Sequence, residues 1–579
     1  MKALRWWQTA VFYQVYPRSF ADSNGDGIGD LPGIIEKLDY LQDLGITAVW
    51  LSPHYPSPLF DTGYDIADYH SVAPEYGDMQ DFQRLLQGAH QRGIRLILDL
   101  VLNHTSHLHP WFLESRLSRD NPKRDWYIWR NPVGDGPPNN WCSTFGGSAW
   151  EWDETTGQYY YHYFFKEQPD LNWRNPQVKQ AMFDIARYWL DKGVDGFRLD
   201  AIGTIYEDPD LTFHDSTFSL PELVQRSQTA TSAQTMTTTF KELRKMFQYQ
   251  RDLPEIHDLM KEFRKVIDEY DDRVLVGETE EISFYGSGED ELHLVFNFPL
   301  MRTPRLTPDW VRANQGDRLA TLPPGAWPCN TLGNHDSPRV YSRYCQDDDC
   351  PELARIALAL MLTLRGTPFL YNGEEIGMTD TYLDSIGQFK DMLGIWMYNM
   401  EIEYMGATPE EALAYANHYG RDKCRTPMQW ANASNAGFSP EGVETWLPVN
   451  ANYAFGVNVV EQENDESSLL NFYRRLLRLR KNTPALIAGD YVPLQPRSQD
   501  YLVFIRRIPD EAQVLVAINF TNQPLTLSLP ELISVEKDSA PQAKLLYSSQ
   551  AERIDRESAA DIALAPYEIC VAELKNEMW

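Results

Sequence analysis

Four segments of this chain end in acidic, basic or histidine side chains, each directly after a short apolar run. These side chains are Asp99 and His104, Arg198 and Asp200, Glu278, and His335 and Asp336. Charged groups are rarely buried without a functional reason, so four such ends in one chain indicate a shared site and not four unrelated helix caps. Two carboxyl groups that flank one bond can serve as nucleophile and as general acid/base, which is the chemistry of glycosidic bond cleavage with retention.

The spacing of Arg198 and Asp200 adds to this interpretation. Residues two positions apart in a strand point to the same face, so the guanidinium can lie beside the carboxylate. Arg198 is then expected to keep Asp200 ionised and to orient it.

The elements that must position these groups are alternating strands and helices. Eight short apolar runs predict strands at 10–16, 46–51, 95–102, 193–199, 274–277, 293–298, 329–332 and 368–371. Amphipathic stretches at 31–44, 79–92, 176–192 and 253–270 predict helices between them. Strands that alternate with helices form parallel sheets, and eight is the number that closes a barrel with its site at the carboxyl ends of the strands. The fold class is therefore α/β, a (β/α)8 barrel.

The organisation of the chain follows from where this alternation breaks. Residues 104–173 are rich in aromatic residues, Pro, Gly and Asn and predict an inserted domain B after the third strand. Residues 1–103 and 174–488 form the predicted barrel, with insertions near 208–251 and 378–421 that could be lids or surface elaborations. Residues 489–579 read as several antiparallel strands and predict a small C-terminal β domain.

Composition excludes several classes of partner. The chain has 83 acidic and 52 basic residues, a formal net charge of −31, which disfavours binding to nucleic acid or to anionic membranes. Six scattered cysteines form no CxxC pair, and neither a signal sequence nor an apolar run of 18 residues occurs. We expect a cytoplasmic monomer or homodimer that acts on small oligosaccharides or glucosides without an organic cofactor.

Four motifs give a resemblance to a known family. The segments DLVLNH, GFRLD, GET and LGNHDS are similar to the four sequence blocks of the α-amylase family, glycoside hydrolase family 13, and QPDLN at 168–172 resembles a fifth block. The resemblance implies a barrel with domain B and a C-terminal β-sandwich. It also implies Asp200 as nucleophile, Glu278 as acid/base and Asp336 as transition-state stabiliser. His104 and His335 would bind hydroxyls of the sugar at subsite −1, and Arg198 would position the nucleophile.

Two further segments narrow the resemblance to the α-glucosidase and oligo-1,6-glucosidase branch. They are DTGYDI, which begins at Asp61, and RDKCRTPMQW, which begins at Arg421. In this branch an Asp–Arg pair caps the non-reducing end of the sugar, so Asp61 would pair with Arg421, or with Arg425 as the alternative. The resemblance also implies subsite aromatics: Tyr64 under the −1 ring, and Phe145 and Phe164 around subsites −1 and +1. Such a closed pocket favours exo action on short substrates.

Linkage preference is predicted from one position. The residue after the nucleophile tends to be Val in α-1,6 enzymes of this branch and smaller in α-1,4 enzymes, and here it is Ala201. The sequence therefore favours α-1,4 linkages, with an oligo-1,6-glucosidase as the alternative. Glucosyl transfer or isomerisation of the trehalose synthase or sucrose isomerase type is a further alternative, since the same covalent intermediate can pass to a sugar. A non-catalytic sugar-binding relative is disfavoured because all three acids are present, and metal-dependent hydrolysis because no HExxH motif occurs.

One loop resembles a cation site. Oxygen-bearing positions recur at Asp22, Asn24, Asp26, Ile28 (through its carbonyl) and Asp30, with Gly27 at the sixth position, as in the first part of an EF-hand loop. Gly33 stands where that loop carries its Glu. We expect a structural Ca²⁺ ion here, with Mg²⁺ as the second choice and a plain Asx/Gly turn as the alternative.

Overall fold

The fold is taken from a computed structural model of the 579-residue chain. The structure describes residues 3–228, 233–345, 350–494, 497–533, 542–550 and 561–575.

An eight-stranded parallel sheet forms the centre of the molecule and confirms the expected barrel fold. In chain order its strands are β1 (Phe12–Val15), β2 (Ala48–Leu51), β3 (Arg95–Val101), β4 (Gly196–Asp200), β5 (Val274–Gly277), β6 (Leu294–Val295), β7 (Cys329–Thr331) and β8 (Thr367–Tyr371). Their order in the sheet is β7-β8-β1-β2-β3-β4-β5-β6. Leu199 of β4 pairs with Gly277 of β5, so the next residues, Asp200 and Glu278, leave adjacent strands at the same level.

Helices follow the strands and cover the barrel. Those of the barrel layer are Leu31–Glu36, Leu38–Leu44, Met79–Gln91, Pro176–Asp191, Glu255–Ile267, Phe298–Met301, Pro308–Thr321, Val340–Tyr344, Cys350–Thr363 and Leu469–Asn482; shorter ones are Trp6–Thr9, Pro110–Ser115, Val459–Glu463, Pro484–Ala488 and Leu529–Ile533. Met79–Gln91 illustrates the local causes. The Asp78 carboxylate accepts the first free N–H groups, and Phe82, Leu85, Leu86 and Ala89 form one buried stripe.

The core lies on both faces of the sheet. Alternate strand side chains, among them Phe12, Trp50, Ile97 and Phe369, fill the barrel interior, and the intervening residues pack against the helices. Phe12 and Phe369 stack with ring centroids 4.3 Å apart. Because the interior is filled by side chains, only the strand ends are free to form a site.

Two elements differ from the sequence prediction. The helix expected over 31–44 is interrupted at Lys37, whose backbone (φ −99°, ψ 4°) leaves helical geometry. The strand expected over 293–298 is paired only at Leu294–Val295, because Asn297 already precedes the helix that begins at Phe298 and carries Pro299 in its first turn.

Residues 104–173 and the C-terminal region carry their own sheets. The first contains a three-stranded antiparallel sheet, Trp129–Arg130, Gln158–Tyr161 and Trp150–Asp153, over an aromatic cluster. The second has a five-stranded antiparallel sheet of Asp490–Pro493, Tyr501–Ile508, Ala512–Asn519, Ile569–Lys575 and Gln542–Ser548, and a two-stranded sheet of Leu525–Ser528 and Asp561–Leu564. Apolar side chains of both C-terminal sheets share one core cluster, which agrees with the expected β-sandwich.

The two insertions are helical and meet each other. Residues 208–251 contain Leu220–Gln228 and Ala233–Phe247, and residues 378–421 contain Met392–Met400, the π-helix Glu401–Met405 and Pro409–Tyr419. Trp396 of the second insertion packs against the cluster around Leu223 and Met246 of the first. Among all these described helices, none combines the length and the apolar character needed to cross a membrane.

Candidate active site

The Arg198 guanidinium lies between three carboxylates at the carboxyl ends of β3, β4 and β5. Its Nη1 donates to Asp200 Oδ1 at 2.7 Å and to Asp99 Oδ1 at 2.8 Å, and its Nη2 lies 2.9 Å from Glu278 Oε2. Arg198 is 1% exposed. The predicted neighbours Asp200 and Glu278 are therefore held by one planar group, which fixes their relative position.

In the described part of the chain, each carboxylate of this pair has one oxygen that contacts protein donors and one that does not. Asp200 Oδ1 binds Arg198, and Glu278 Oε2 binds both Arg198 and the backbone N–H of Ala201 at 2.8 Å. Asp200 Oδ2 and Glu278 Oε1 have no such contacts. This asymmetry is what a nucleophile and an acid/base require, because one oxygen orients the group and the other reacts.

Ala201 adopts a left-handed backbone conformation (φ 43°, ψ 40°) that non-glycine residues rarely use. The turn places its N–H against the Glu278 carboxylate, so the residue after the predicted nucleophile also positions the predicted acid/base. Strained backbone of this kind is concentrated at functional sites.

Burial and neighbouring charges shift the pKa values of two of the carboxyl groups around Arg198. Burial, and then the neighbouring Glu278 carboxylate, raise the pKa of Asp200 well above its usual value, whereas Arg198 opposes the shift. Burial likewise raises the pKa of Asp99 to about 6 against the effect of Arg198. Two close carboxylates disfavour each other's ionisation, so the Glu278 carboxylate adds to the effect of burial on Asp200.

His335 and Asp336 follow β7 and join the same network. Gln14 Nε2 donates to His335 Nδ1 at 2.7 Å, so the ring proton lies on Nε2, which is 2.7 Å from the Tyr64 hydroxyl and 3.2 Å from Asp336 Oδ2. Burial lowers the pKa of His335 well below its usual value, so the ring is neutral. Tyr64 donates to Asp99 Oδ2 at 3.0 Å and thereby joins this network to Arg198.

Asp336 is kept ionised by its neighbours. Burial opposes its ionisation, but His335, Arg425 and Arg421 together lower the pKa of Asp336. Arg425 Nη2 lies 2.6 Å from Asp336 Oδ1, and Arg421 Nη1 lies 3.4 Å from the same oxygen. A permanent anion at this place suits the stabilisation of positive charge.

The predicted Asp61–Arg421 pair is formed, although the two residues are 360 positions apart in the sequence. Arg421 Nη2 donates to Asp61 Oδ1 at 2.8 Å, whereas Arg425, the alternative partner, binds Asp336 instead. Gln168 donates to Asp61 Oδ2 at 3.1 Å and lies 2.9 Å from His104 Nε2. The side-chain amide of Gln168 therefore joins Asp61 and His104, and the three side chains form one wall of the site.

Two of the predicted aromatic residues, Phe145 and Phe164, come from domain B, and the third, Tyr64, follows β2. Phe164 packs edge-on against His104, with ring centroids 5.2 Å apart. The ring centroid of Phe145 lies 5.9 Å from that of Phe164, and Phe145 stacks on Phe165 with their centroids 4.1 Å apart. Tyr64 stacks with His335 at 5.4 Å and is only 5% exposed. These contacts place all three predicted aromatics beside the polar network.

The predicted cation loop is a chain of Asx turns. The Asp22 carboxylate accepts from Gly25 and Gly27, Asn24 Oδ1 accepts from the Asp26 N–H, and Asp26 Oδ1 accepts from the Ile28 N–H. Asp30 caps the helix Leu31–Glu36. Across the described segments, no three His, Cys, Asp or Glu side chains are grouped as a metal site. The five cation ligands predicted from the sequence are three carboxylates, one side-chain amide and one backbone carbonyl. Each oxygen that accepts a hydrogen bond in these Asx turns keeps a second lone pair, which suits a hard cation.

Several residues of the network were not selected from the sequence. Asp99 and Gln168 lie inside sequence motifs but received no role there, whereas Gln14 and Asp391 carry no local signal. Gln14 comes from β1 and Gln168 from the end of domain B. Only their contacts show that they belong to the site, since amide side chains are common in every part of a chain.

A parallel eight-stranded barrel whose strand ends hold paired carboxylates on one guanidinium defines a class, the barrel glycoside hydrolases. The family model for the alpha amylase catalytic domain matches residues 14–489. An oligo-1,6-glucosidase of Parageobacillus thermoglucosidasius is 39% identical, over 98% of this chain and 99% of that protein. An alpha-glucosidase of Candida albicans is 38% identical, over 98% and 99% respectively. A crystal structure of trehalulose synthase from Pseudomonas mesoacidophila has a TM-score of 0.86 at 37% identity, over 99% of this chain and 100% of that one. The chain belongs to the α-amylase family and is a glycoside hydrolase of glucosidase type.

Proposed function

We propose that the protein is a retaining, exo-acting α-glucosidase that releases glucose from the non-reducing end of maltose and short malto-oligosaccharides. The observation that carries this proposal is the closed polar wall made by Asp61, Arg421 and Gln168 next to the carboxylate pair. An Asp–Arg pair offers both acceptors and donors to terminal hydroxyls. A sugar whose terminal hydroxyls bind this pair is the last unit of its chain, so cleavage occurs at a chain end.

The first half of the reaction uses the two oxygens that have no protein partner. Asp200 Oδ2 attacks the anomeric carbon while Glu278 Oε1 delivers its proton to the glycosidic oxygen. The C–O bond to the leaving group breaks, and a β-glucosyl ester forms on Asp200. Arg198 holds the other oxygen of each carboxylate, so neither group has to reorient between steps.

The second half reverses the roles of the pair. Glu278, now a carboxylate, removes a proton from water, and the hydroxyl displaces Asp200 from the anomeric carbon to give α-glucose. Asp336 stabilises the positive charge that develops on the sugar ring, and His104, His335 and Arg421 bind its hydroxyls. A sugar hydroxyl in place of water gives transglycosylation by the same steps.

The α-1,4 preference rests on Ala201. Its methyl group leaves more space beside the nucleophile than the Val of the α-1,6 branch would. One relative carries the name oligo-1,6-glucosidase and another alpha-glucosidase, at nearly equal identity, so the names do not separate the two linkages.

A second candidate is isomerisation of a disaccharide by transfer of the glucosyl group to the released sugar. The similarity to trehalulose synthase over the whole chain favours it as the alternative. Glucose as the product of maltose supports hydrolysis. A new disaccharide formed from sucrose or maltose without net glucose release supports isomerisation.

The test combines product chromatography with a nucleophile variant. Maltose, isomaltose, sucrose and trehalose are each incubated with the protein and the products are identified, and the glucose anomer first released from p-nitrophenyl α-D-glucoside is followed by NMR. We expect glucose from maltose, α-glucose from the aryl glucoside, and loss of turnover in Asp200→Asn. Asp195→Asn is the matched control, because Asp195 is buried next to the other end of β4 and pairs with His90 and Arg95 outside the site. Full activity of Asp200→Asn, or initial release of β-glucose from the aryl glucoside, would refute the assignment.

We also propose that the loop formed by residues 22–30 binds a structural Ca²⁺ ion through Asp22, Asn24, Asp26, the Ile28 carbonyl and Asp30. Its Asx turns bring these oxygens into one loop, which supports the proposal. The ion would stabilise the segment after β1. A cytoplasmic location and a monomeric or homodimeric state stay predictions from the sequence.

A further inference from the structure

The insertion 378–421 contributes a buried carboxylate, Asp391, to the Arg421 side chain. Arg421 Nη2 donates to Asp391 Oδ1 at 2.7 Å, and its Nε lies 3.2 and 3.1 Å from the two carboxylate oxygens. The backbone N–H of Arg421 donates to Asp391 Oδ2 at 2.7 Å. Asp391 is completely buried. Both its oxygens therefore hold one residue, in the side-on geometry that fixes a planar guanidinium.

Asp391 is itself held from two directions. The Asp422 carboxylate accepts from the backbone N–H of Asp391 at 2.9 Å and of Lys390 at 2.7 Å. Asp391 Oδ1 also accepts from the Leu393 N–H at 3.2 Å at the start of the helix Met392–Met400. Burial opposes its ionisation, but Arg421 lowers the pKa of Asp391 to about 2. The carboxylate is thus a fixed anion with a fixed direction.

This anchor determines which edge of Arg421 reaches the site. Asp391 occupies Nε and one side of Nη2, so the rest of Nη2 contacts Asp61 at 2.8 Å and Nη1 extends toward Asp336 at 3.4 Å. A flexible Arg side chain without this anchor could rotate to satisfy Asp61 and Asp336 in other ways, and ordering it would then cost free energy during substrate binding.

We infer that Asp391 is a positioning residue for recognition of the terminal sugar, and that the insertion 378–421 is a built-in part of the substrate pocket. The inference rests on the proposed function and deepens it, because it assigns the affinity for the non-reducing end to an Asp391–Arg421–Asp61 relay. Asp391 acts through Arg421 and does not touch the substrate.

The relay predicts a KM effect that depends on Asp61. Asp391→Asn keeps an oxygen for the Leu393 N–H but removes the charge. Hydrolysis of p-nitrophenyl α-D-glucoside by Asp391→Asn should show KM raised about tenfold, or about 1.4 kcal/mol, with kcat changed much less, since the contact is present in both ground and transition states. In an Asp61→Asn background the same substitution should change KM by less than about twofold, because the relay is already broken.

Thr408→Ala is the matched control. Thr408 caps the helix Pro409–Tyr419 in the same insertion and has no contact with Arg421. It should lower Tm through the lost cap and leave KM unchanged. An unchanged KM in folded Asp391→Asn, or equal effects in both backgrounds, would overturn the inference.

A second variant decides the matter if Asp391→Asn does not fold. Asp422→Asn weakens the support of Asp391 and removes no hydrogen bond of the Arg421 side chain, so it should raise KM by a smaller factor that again disappears in the Asp61→Asn background. An unchanged KM, or an undiminished effect with Asp61→Asn, would refute the relay. Failure of the wild-type protein to hydrolyse any α-glucoside would instead refute the proposed function.

Discussion

Replacement of Arg198 by Lys should test the central arrangement of the site. Arg198 uses one planar group to reach Asp200, Asp99 and Glu278 at 2.7, 2.8 and 2.9 Å. A Lys ammonium keeps the positive charge, but it is a single nitrogen and cannot place donors along two edges at once. The substitution therefore separates the charge of the residue from its geometry.

The size of the effect follows from the bonds that are lost. A hydrogen bond to a charged group contributes about 1.5–3 kcal/mol. At about 1.36 kcal/mol for each factor of ten, loss of the bond to Asp200 predicts a kcat/KM about 10- to 150-fold lower. The same free energy corresponds to a rise of about one to two units in the pKa of the carboxylate.

The sign of the pH effect is fixed by the role of each group. Burial and Glu278 raise the pKa of Asp200, and Arg198 lowers it. Weakening the Arg198 contact lets the pKa of Asp200 rise further, so a smaller fraction is ionised at any pH below that pKa. Because the nucleophile must be ionised, the acid limb of the kcat/KM profile should move to higher pH in Arg198→Lys.

The assay is the pH profile of kcat/KM on p-nitrophenyl α-D-glucoside, with Arg480→Lys as control. Arg480 is 2% exposed and donates only to the carbonyls of Leu362, Leu486 and Gly366. The control should lose thermal stability but keep the acid limb of the parent protein. An Arg198→Lys variant with an unshifted acid limb, or a limb moved to lower pH, would refute the reasoning.

Two other perturbations test the linkage and cation proposals. Ala201→Val should raise the ratio of isomaltose to maltose hydrolysis, and it should lower Tm because a β-branched residue is strained at positive φ. Ala201→Gly should keep the maltose preference. Equal ratios in the two variants would contradict the role of this side chain. A chelator should lower Tm in a way that added Ca²⁺ reverses, and Asp26→Ala should abolish that dependence; an unchanged melting curve would remove the cation.

The sequence was most informative where chemistry coincides with a strand end. Asp200, Glu278 and Asp336 follow directly from acids at the ends of β4, β5 and β7, because the fold brings those ends together. The Asp61–Arg421 contact came only from the family resemblance, since nothing local joins residues 360 positions apart. The role of Asp391 could not be predicted from the sequence, because its insertion could equally be a lid or a surface elaboration. Only the packing of the insertion shows the contact with Arg421.

For the fold, the positions of the barrel strands could be predicted from the sequence better than their ends. Continuous apolar runs located all eight barrel strands, because strands buried on both faces cannot alternate with polar residues. Their ends were less certain: β6 is only Leu294–Val295, although the apolar run extends to 298. Short edge strands such as Asp490–Pro493 and Asp561–Leu564 carry no periodic signal, because their residues are partly exposed and of mixed polarity.

The charge of the site explains why these contacts occur together. Six carboxyl groups, from Asp61, Asp99, Asp200, Glu278, Asp336 and Asp391, are matched by only three guanidinium groups, from Arg198, Arg421 and Arg425. With one of these carboxyl groups protonated, the site still stays negative. A positive charge that develops at the anomeric carbon is therefore stabilised by groups already in place, whereas an anionic sugar would be repelled. Each arginine thus fixes the positions of carboxylates without neutralising the site, and a neutral glucoside is the substrate that this balance suits.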